Sequence, residues 1–352
     1  MKNLSRELVC LLVLVVALAG GRVAVAQGGS VKPAPTNTAT PAPTKVAAPP
    51  PAASKSEPVV LETATGKLYG TIELPAQARA PYPVVLIISG SGPTDRNGNS
   101  AVIPGANNSL KYLAEGLAAA GIASLRYDKR GVAESVMAAK AESDLRFDNY
   151  IEDAVQWGQM LRADRRFSRL VVAGHSEGSL IGMVAAQRLG ADGYVSMAGA
   201  GRRADVVVLE QLKPQTSPEL YAQSEAVFKS LVEGKTVADF PTQLTVLFRP
   251  SVQPYIISWL KYDPAKEVAK LAVPILIVQG THDAQVSVED AKLLAQAKPS
   301  ARLLLVEGMS HVLKDAPSDP KQQAAAYTDP SIPIAPKFLA EVVAFVNGVK
   351  KK

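Results

Sequence analysis

The sequence has 352 residues, of which 47% are hydrophobic and 20% carry a charge. These fractions are typical of globular proteins and exclude a largely disordered chain, a coiled coil and a protein with many membrane spans. The net charge is +6, but residues 1–57 contribute +4 and the last three lysines +3, so residues 58–349 sum to −1. A basic surface for binding nucleic acid is therefore not expected.

The N-terminus has the three parts of an export signal. Lys2 and Arg6 supply positive charge, and Leu8–Leu18 is an unbroken apolar run of 11 residues. Residues 24–26 (Ala-Val-Ala) follow the small-x-small cleavage pattern, so we expect the mature chain to begin at Gln27. The apolar run is shorter than the about 20 residues needed to cross a bilayer, so stable membrane insertion is not expected after cleavage.

Two further features concern localisation and domain organisation. The single cysteine, Cys10, lies inside the signal peptide (residues 1–26), so the mature protein would have no disulfide and no cysteine metal site. We therefore expect a bacterial periplasmic or secreted protein. Residues 27–57 are mostly Pro, Ala, Thr, Ser and Lys, a composition that predicts a disordered linker. Residues 58–349 then form the folded unit.

The folded unit shows the alternation of strands and helices that is typical of an α/β protein. Leu61–Leu74 alternates around turn glycines and predicts an antiparallel hairpin at a sheet edge. Apolar runs typical of buried parallel strands follow at Val84–Ser89, Ile122–Tyr127, Leu170–Ala173, Tyr194–Ala198, Ile275–Gln279 and Leu303–Val306. Amphipathic segments with helical spacing are Leu110–Ala120, Ile151–Arg162, Ser179–Leu189, Val288–Ala297 and Phe338–Val346. The alternation predicts a doubly wound, mostly parallel sheet, with functional sites at the carboxyl ends of its strands.

Gly174-His175-Ser176-Glu177-Gly178 directly follows one predicted strand and precedes a predicted helix. This pattern in this context is typical of a nucleophile elbow, a sharp turn that presents a serine hydroxyl at a helix N-terminus. Side chains two residues either side of the serine would collide in such a turn, which explains Gly174 and Gly178. The alternative interpretation is a helix cap flanked by glycines.

A serine hydroxyl needs a base to become a good nucleophile, and the chain has three histidines. His175 lies inside the elbow. His282 could in principle be the base, but it stands where the acid of a triad is expected. His311 follows the last predicted strand and is the base that we favour, the alternative being a surface loop histidine.

The favoured acid is Asp283, which follows the strand predicted at Ile275–Gln279. Ser176, Asp283 and His311 then occur in the order Ser, Asp, His. A buried carboxylate in this position fixes the tautomer of the histidine and stabilises its protonated form. If Asp283 only caps a helix or turn, Glu289 or Asp290 would take its place.

Five motifs stand at the ends of predicted strands. They are SGSGPTD at 89–95, YDKRG at 127–131, the elbow at 174–178, GTHD at 280–283 and GMSH at 308–311. Together they resemble the α/β-hydrolase superfamily, in particular its secreted bacterial esterases and the related serine aminopeptidase-like (S33-type) group. The resemblance covers about residues 59–349 and implies the α/β-hydrolase fold and hydrolysis at a serine.

The same resemblance implies an oxyanion hole. Ser89-Gly90-Ser91-Gly92 stands where the superfamily places half of it, and the backbone donors would be Ser91 and Glu177. Ser89 replaces the histidine that many members have, so Gly92 is an alternative donor to Ser91. A strand-to-loop turn that needs glycine would use the same residues. Each such donor is worth about 2.7–4 kcal/mol in the transition state.

Two nearby polar segments are interpreted as structural. Asp95–Asn99 has the residue types of a calcium loop, but its glycine is fourth rather than sixth and Ala106 stands where a glutamate is needed. We expect a polar turn and no metal. Asp128 and Arg130 resemble the D-x-R-G turn of the superfamily and are expected to brace the rim of the site. The Glu177 side chain would pair with a cation there or face solvent.

The stretch between Gly201 and Val273 is 71 residues long, far more than a helical crossover needs. Residues 202–265 hold seven of the 19 aromatic residues, and Ser217–Val232 and Gln253–Leu260 have helical spacing. We predict a helical lid over about 202–265, with an aromatic underside that encloses the pocket above the serine. The alternative is that these aromatics only anchor the lid to the sheet.

The expected function is hydrolysis of small-molecule carboxylic esters with small to medium acyl groups, without a metal or other cofactor. A serine peptidase of the aminopeptidase type is an alternative, and Glu210, Glu219 or Glu225 could then hold the free amine of its substrate. A thioesterase, or a catalytically inert binding protein on a hydrolase scaffold, would also be compatible with the sequence. The acyl chain, the leaving group and the oligomeric state stay open.

Overall fold

The computed structural model describes residues 54–351, which contain one eight-stranded sheet. Its strands are β1 Ser54–Thr63, β2 Gly66–Pro75, β3 Tyr82–Ile88, β4 Ala123–Tyr127, β5 Phe167–His175, β6 Gly193–Met197, β7 Ile275–Gly280 and β8 Arg302–Val306. The spatial order is β1-β2-β4-β3-β5-β6-β7-β8. β1 and β2 pair antiparallel, and β3 to β8 are parallel, so the carboxyl ends of six strands share one edge.

Helices cover both faces of this sheet. They are α1 Ser109–Ala119, α2 Phe147–Ala163, α3 Glu177–Leu189, α4 Ala204–Leu212, α5 Pro218–Val232, α6 Thr245–Phe248, α7 Gln253–Trp259, α8 Pro264–Ala269, α9 Val288–Ala297, α10 Ala324–Thr328 and α11 Pro336–Gly348. Val84, Leu86 and Ile88 of β3 belong to the hydrophobic cluster that includes α2 and α3, whereas Val85 and Ile87 belong to the cluster that includes α1 and α11. Burial on both faces explains the continuous apolar runs. The predicted doubly wound α/β fold is confirmed.

The folded region begins earlier than the predicted residue 58. β1 starts at Ser54, where the backbone pairs with Pro75 of β2. The Ser54 and Ser56 hydroxyls both donate to the buried carboxylate of Glu73, which also pairs with Arg126 at 3.0 Å. Polar contacts therefore hold residues 54–57 in the sheet. Because these four residues have no pattern of apolar side chains, the sequence did not indicate a strand there. Residues 1–53, including the predicted signal peptide and most of the predicted linker, lie outside the described residues.

The long insertion after β6 is helical. The predicted helices at 217–232 and 253–260 correspond to α5 and α7, while α4, α6 and α8 were not predicted. The insertion shares one hydrophobic cluster with the sheet, through residues such as Val208, Phe228 and Val268. Within residues 54–351 no helix has both the length and the apolar character needed to cross a bilayer.

Three of the seven aromatic residues of the insertion, Tyr255, Trp259 and Tyr262, anchor it to the body of the protein. Trp259 stacks on Phe147 of α2 with ring centroids 5.9 Å apart, and Tyr255 lies 5.5 Å from Tyr150. Phe228 packs inside the insertion. Trp259 also lines a cavity together with the elbow serine. The aromatic residues of the insertion are thus divided between an anchor on α2 and packing inside the insertion, and Trp259 is the one that lines a cavity at Ser176 among the described pockets.

Candidate active site

The turn between β5 and α3 holds Ser176 in an unusual backbone conformation. β5 ends at His175, α3 begins at Glu177, and Ser176 between them has φ 56° and ψ −121°. Positive φ is strained for a residue with a side chain and persists only where the surroundings impose it. Here the N–H of Ser176 donates to the carbonyl of Met197 at the end of β6, at 2.9 Å. Ser176 therefore projects from the shared edge of the parallel strands.

The two elbow glycines are required because the backbone is crowded on both sides of this turn. A Cβ added to Gly174 would lie 2.0 Å from the carbonyl oxygen of Gly178. A Cβ added to Gly178 would lie 2.5 Å from the carbonyl oxygen of Ile88 and 2.6 Å from that of Ser89. The elbow thus packs directly against the end of β3, and only glycine fits at these two positions.

His311 and Asp283 form a buried pair beside the elbow. The Nδ1 atom of His311 lies 2.9 Å and 3.1 Å from the two Asp283 carboxylate oxygens. Asp283 also accepts from the N–H groups of Gln285 and Val286, at 2.8 Å and 2.9 Å, and from the Gln279 amide at 2.8 Å. Nδ1 is occupied by the carboxylate, so Nε2 is the ring nitrogen left to exchange a proton.

The environment of Asp283 keeps it ionised. Burial by itself would raise the pKa of this carboxyl, but the adjacent His311 and the N–H groups of Val286 and Gln285 hold the pKa below its usual value. A carboxylate that stays charged can orient the imidazole and stabilise its protonated form.

The acid and base alternatives considered from the sequence are engaged elsewhere. His282 Nδ1 lies 2.7 Å from the Ala316 carbonyl oxygen. Asp290 pairs with Arg202 at 2.6 Å and caps α9. Glu289 is exposed and pairs with Lys292 on the same helix. Asp283 is thus the carboxylate that contacts His311.

His175 supports the loop that carries His311. Its Nε2 lies 2.7 Å from the His311 carbonyl oxygen, and the two rings are 4.9 Å apart. Burial, together with the charge of His311, lowers the pKa of His175 to about 3. The ring is therefore neutral at ordinary pH and donates its Nε2 proton to that carbonyl.

The loop after β3 passes close over the elbow. A Cβ at Gly90 would lie 3.2 Å from the Cβ of Ser176, and Ser91 lines one cavity together with Ser176 and His311. Neither the N–H of Ser91 nor that of Glu177 donates to an acceptor within residues 54–351. Both groups are thus available to a ligand beside the serine. Ser89, which stands where many members of the superfamily have histidine, donates its hydroxyl to the Thr94 carbonyl at 3.3 Å.

The side chain of Glu177, which sequence reasoning left undecided, lies in a buried network. Its carboxylate pairs with Lys129 at 3.0 Å, and both side chains are only 1% exposed. The Tyr255 hydroxyl of the insertion donates to the same carboxylate, and Lys129 also donates to the carbonyl of Gly90. Lys129 stood within the YDKRG motif, but nothing in the sequence indicated its distant partner.

The neighbours of Lys129 in that motif form ion pairs, and the rim-bracing role expected for them stays a prediction. Asp128 pairs with Arg96 at 2.7 Å, and Arg130 pairs with the buried Asp153. The calcium-like segment is a polar turn in which Asp95 accepts from backbone N–H groups of its own loop. Within residues 54–351 no three acidic, histidine or cysteine side chains cluster as a metal site would need.

Two cavities meet at Ser176. The first, which we call the apolar cavity, is lined by Ser176, Glu177, Leu180, Ala200, Arg202, Ala204, Val207, Val208, Trp259, Pro264 and Val286. The second, the polar cavity, is lined by Gly90, Ser91, Thr94, Gly98, Ser100, Ile103, Asn107, His175, Ser176, Gln285, His311, Val312 and Tyr327. Helices α4, α7 and α8 of the insertion contribute to the first. A substrate held at Ser176 would therefore have an apolar side and a polar side.

Comparison with known proteins identifies related chains. Residues 105–315 match the family described as serine aminopeptidase, S33. Esterase EstD of Thermotoga maritima is 30% identical over 249 residues, which cover 70% of this chain and 58% of EstD. This chain thus spans less than two thirds of that relative.

Solved structures show the same fold at low sequence identity. Est1E from Butyrivibrio proteoclasticus has a TM-score of 0.53 and 15% identity, covering 82% of this chain and 98% of its own. A proline iminopeptidase from Mycobacterium smegmatis has a TM-score of 0.51 and 15% identity, covering 83% of this chain and 98% of its own. The fold is therefore common to proteins named as esterases and as peptidases.

The pKa of His175 leads to a testable pH dependence of stability. Below its ordinary pKa of about 6.5, the unfolded chain protonates this ring whereas the folded protein does not until about pH 3. The unfolded state then binds one more proton, so this group alone makes the free energy of unfolding fall by up to about 1.4 kcal/mol for each pH unit below 6.5.

Replacing the ring by an amide removes this titration. In urea unfolding between pH 6.5 and 4.5, we expect His175→Gln to lose stability less steeply than the wild type, whereas at pH 8 neither protein carries the penalty. Equal slopes for the two proteins would contradict the assignment of a neutral, buried His175.

Proposed function

From the premise that this chain belongs to the serine aminopeptidase S33 family of α/β hydrolases, we propose that it is an esterase that cleaves carboxylic esters of small to medium acyl groups. The observation that carries the proposal is the convergence of Ser176 with the His311–Asp283 pair at one cavity. A serine, a histidine and a buried carboxylate in this relation perform acyl transfer on several unrelated folds.

In the first step, Nε2 of His311 takes the hydroxyl proton of Ser176 while its oxygen attacks the ester carbonyl carbon. Asp283 holds the imidazole through Nδ1 and stabilises the positive charge that develops on it. The carbonyl π electrons move onto the carbonyl oxygen, which becomes an oxyanion. The backbone N–H groups of Ser91 and Glu177 donate to that oxyanion, and the N-terminus of α3 adds its positive end.

In the second half of the first step, the tetrahedral intermediate collapses. The bond to the alcohol oxygen breaks, His311 gives its proton to that oxygen, and an acyl group remains on Ser176. Water then enters, loses a proton to His311 and attacks the acyl carbonyl. The second collapse returns the proton to Ser176 and releases the acid.

The lining of the two cavities supports an ester rather than a peptide with a free N-terminus. An aminopeptidase needs a carboxylate near the serine to hold the substrate's amine. Among the residues lining the two cavities the only carboxylate is Glu177, and Lys129 and Tyr255 already occupy it.

The lid glutamates that the peptidase alternative would need do not supply that carboxylate. Glu219 and Glu225 are exposed on α5. Glu210 is 57% exposed and pairs with Arg202. None of the three lines the apolar or the polar cavity. Glu210 lines a neighbouring pocket that also contacts Gln285 and Val286, and its carboxylate is paired there with Arg202.

The apolar cavity supports a short acyl group. The cavity is lined by Leu180, Val207, Val208 and Trp259 together with Ser176. Each CH₂ group of an acyl chain that moves from water into such an apolar cavity is stabilised by about 0.8 kcal/mol. The volume of the apolar cavity is about 30 Å³, so a long acyl chain would not fit there. The polar cavity is lined by the polar side chains of Thr94, Ser100 and Asn107, which suits a polar alcohol better than an apolar one.

The proposal predicts a chain-length profile. On chromogenic acyl esters from C2 to C12, we expect kcat/KM of the purified protein to be highest for short chains and to fall steeply for the longest. The Ser176→Ala variant should fold normally and lose at least about 10³-fold in kcat. Retained esterase activity in that variant would contradict the proposal, and so would a profile that rises with chain length.

We also propose that the protein is exported, which the charge pattern and cleavage motif of the N-terminal 26 residues support. In a bacterial host, N-terminal sequencing of the chain from the periplasm or medium should begin at Gln27. A chain that stays in the cytoplasm with its N-terminus intact would contradict export.

A further inference from the structure

Lys129 is a buried charged residue that the proposed mechanism does not use. Its side chain is 1% exposed and its ammonium group makes three contacts. It donates to the carbonyl oxygen of Gly90, pairs with Glu177 at 3.0 Å and lies 5.2 Å from the ring centroid of Tyr150. A lysine is rarely buried to this extent without a specific partner.

The contact with Gly90 acts on a peptide group of the proposed oxyanion hole. The carbonyl of Gly90 and the N–H of Ser91 belong to one peptide unit, and that unit is planar. They point in opposite directions, so a donor that holds the carbonyl also sets the direction of the N–H.

The contact with Glu177 acts on the other half of the hole. The backbone N–H of Glu177 is the second proposed donor, while its carboxylate is held by Lys129 and by Tyr255 of the insertion. One ammonium group therefore connects the loop after β3 with the first residue of α3. We propose that Lys129 is a positioning residue that holds both backbone donors of the oxyanion hole in their working directions.

The charge balance indicates how Lys129 would act. Its positive charge is neutralised by Glu177 at 3.0 Å, so the pair contributes little net field at Ser176. Lys129 then acts by orienting the two N–H donors. Their hydrogen bonds stabilise the oxyanion of the transition state much more than the carbonyl of the bound ester. Loss of Lys129 should therefore lower kcat and leave KM nearly unchanged.

The same turn offers a matched control. Arg130 follows Lys129 directly and forms a buried pair with Asp153, through Nε–Oδ2 at 3.1 Å and a second bond from Nη2. Its other side-chain contacts are with Thr65 and the Ala138 carbonyl, and its backbone carbonyl, which the substitution retains, accepts from the Tyr150 hydroxyl. Arg130→Met thus breaks a buried ion pair of the same turn without touching either proposed donor.

The test compares Lys129→Met, the double variant Lys129→Met/Glu177→Gln, and Arg130→Met. The double variant keeps the backbone N–H of residue 177 and leaves no unpaired buried charge. It should therefore fold even if the single variant, with an unpaired Glu177, does not. We expect kcat on the best ester to fall about 10- to 100-fold in both Lys129 variants, with KM within about threefold of the wild type. Arg130→Met should lower the melting temperature and retain kcat.

A transition-state analogue gives a second readout that stability alone does not move. The affinity of an alkyl boronic acid, whose tetrahedral adduct places an oxygen in the hole, should fall in parallel with kcat in the Lys129 variants. A folded double variant with wild-type kcat and wild-type boronic acid affinity would overturn the inference. So would an equal loss of kcat in Arg130→Met.

This inference rests on the proposed esterase function, and the two fail in different ways. If the wild type hydrolyses no ester, the rate at which a fluorophosphonate labels Ser176 replaces kcat as the readout, because that reaction also needs the oxyanion donors. A labelled wild type with unchanged rates in the Lys129 variants overturns only the role of Lys129. A folded wild type that is never labelled overturns the proposed function and this inference with it.

Discussion

The close approach of the elbow to the end of β3 is the constraint on which the site depends. Gly178 lies so near the carbonyl groups of Ile88 and Ser89 that no side chain fits there. That contact joins the β5–α3 turn to the loop after β3, and it places Gly90 over Ser176. The strained φ of Ser176 is sustained by this packing and by its hydrogen bond to Met197.

The buried carboxylates near this contact, Asp283 and Glu177, both have polar partners. The Asp283 carboxylate is hydrogen-bonded by His311 and by backbone N–H groups, and Glu177 forms an ion pair with Lys129. Burying an ion costs several kcal/mol unless a partner and hydrogen bonds compensate for it. Each pair joins segments that are distant in the sequence. Apolar side chains packed in the same place would avoid this desolvation cost. His175 contributes differently, as a neutral donor to the His311 loop.

The sequence was sufficient for those parts of the fold and site that depend on local pattern. Apolar runs identified the buried strands, because both faces of a parallel sheet are covered. The elbow was recognisable because its glycines are required by a local clash, and Asp283 and His311 because each follows a predicted strand. Their contact in the structure follows from the parallel arrangement of β7 and β8.

Other features depend on contacts between distant residues and left no local signal. β1 extends to Ser54 because of Glu73 and Arg126, which polar composition alone could not indicate. The Lys129–Glu177 pair joins two motifs 48 residues apart. The aromatic residues of the insertion are evident in the sequence. Whether they line a pocket or pack on the body of the protein depends on α2, against which Trp259 stacks.

The central claim is that Ser176 is an activated nucleophile, and covalent labelling tests it most directly. The folded protein is treated with a fluorophosphonate, and the modified residue is located by intact and tandem mass spectrometry. The account predicts one adduct, on Ser176, that is absent in Ser176→Ala and forms at least about 10²-fold more slowly in His311→Gln. A folded protein that forms no adduct, or forms it at the same rate without His311, would contradict the account.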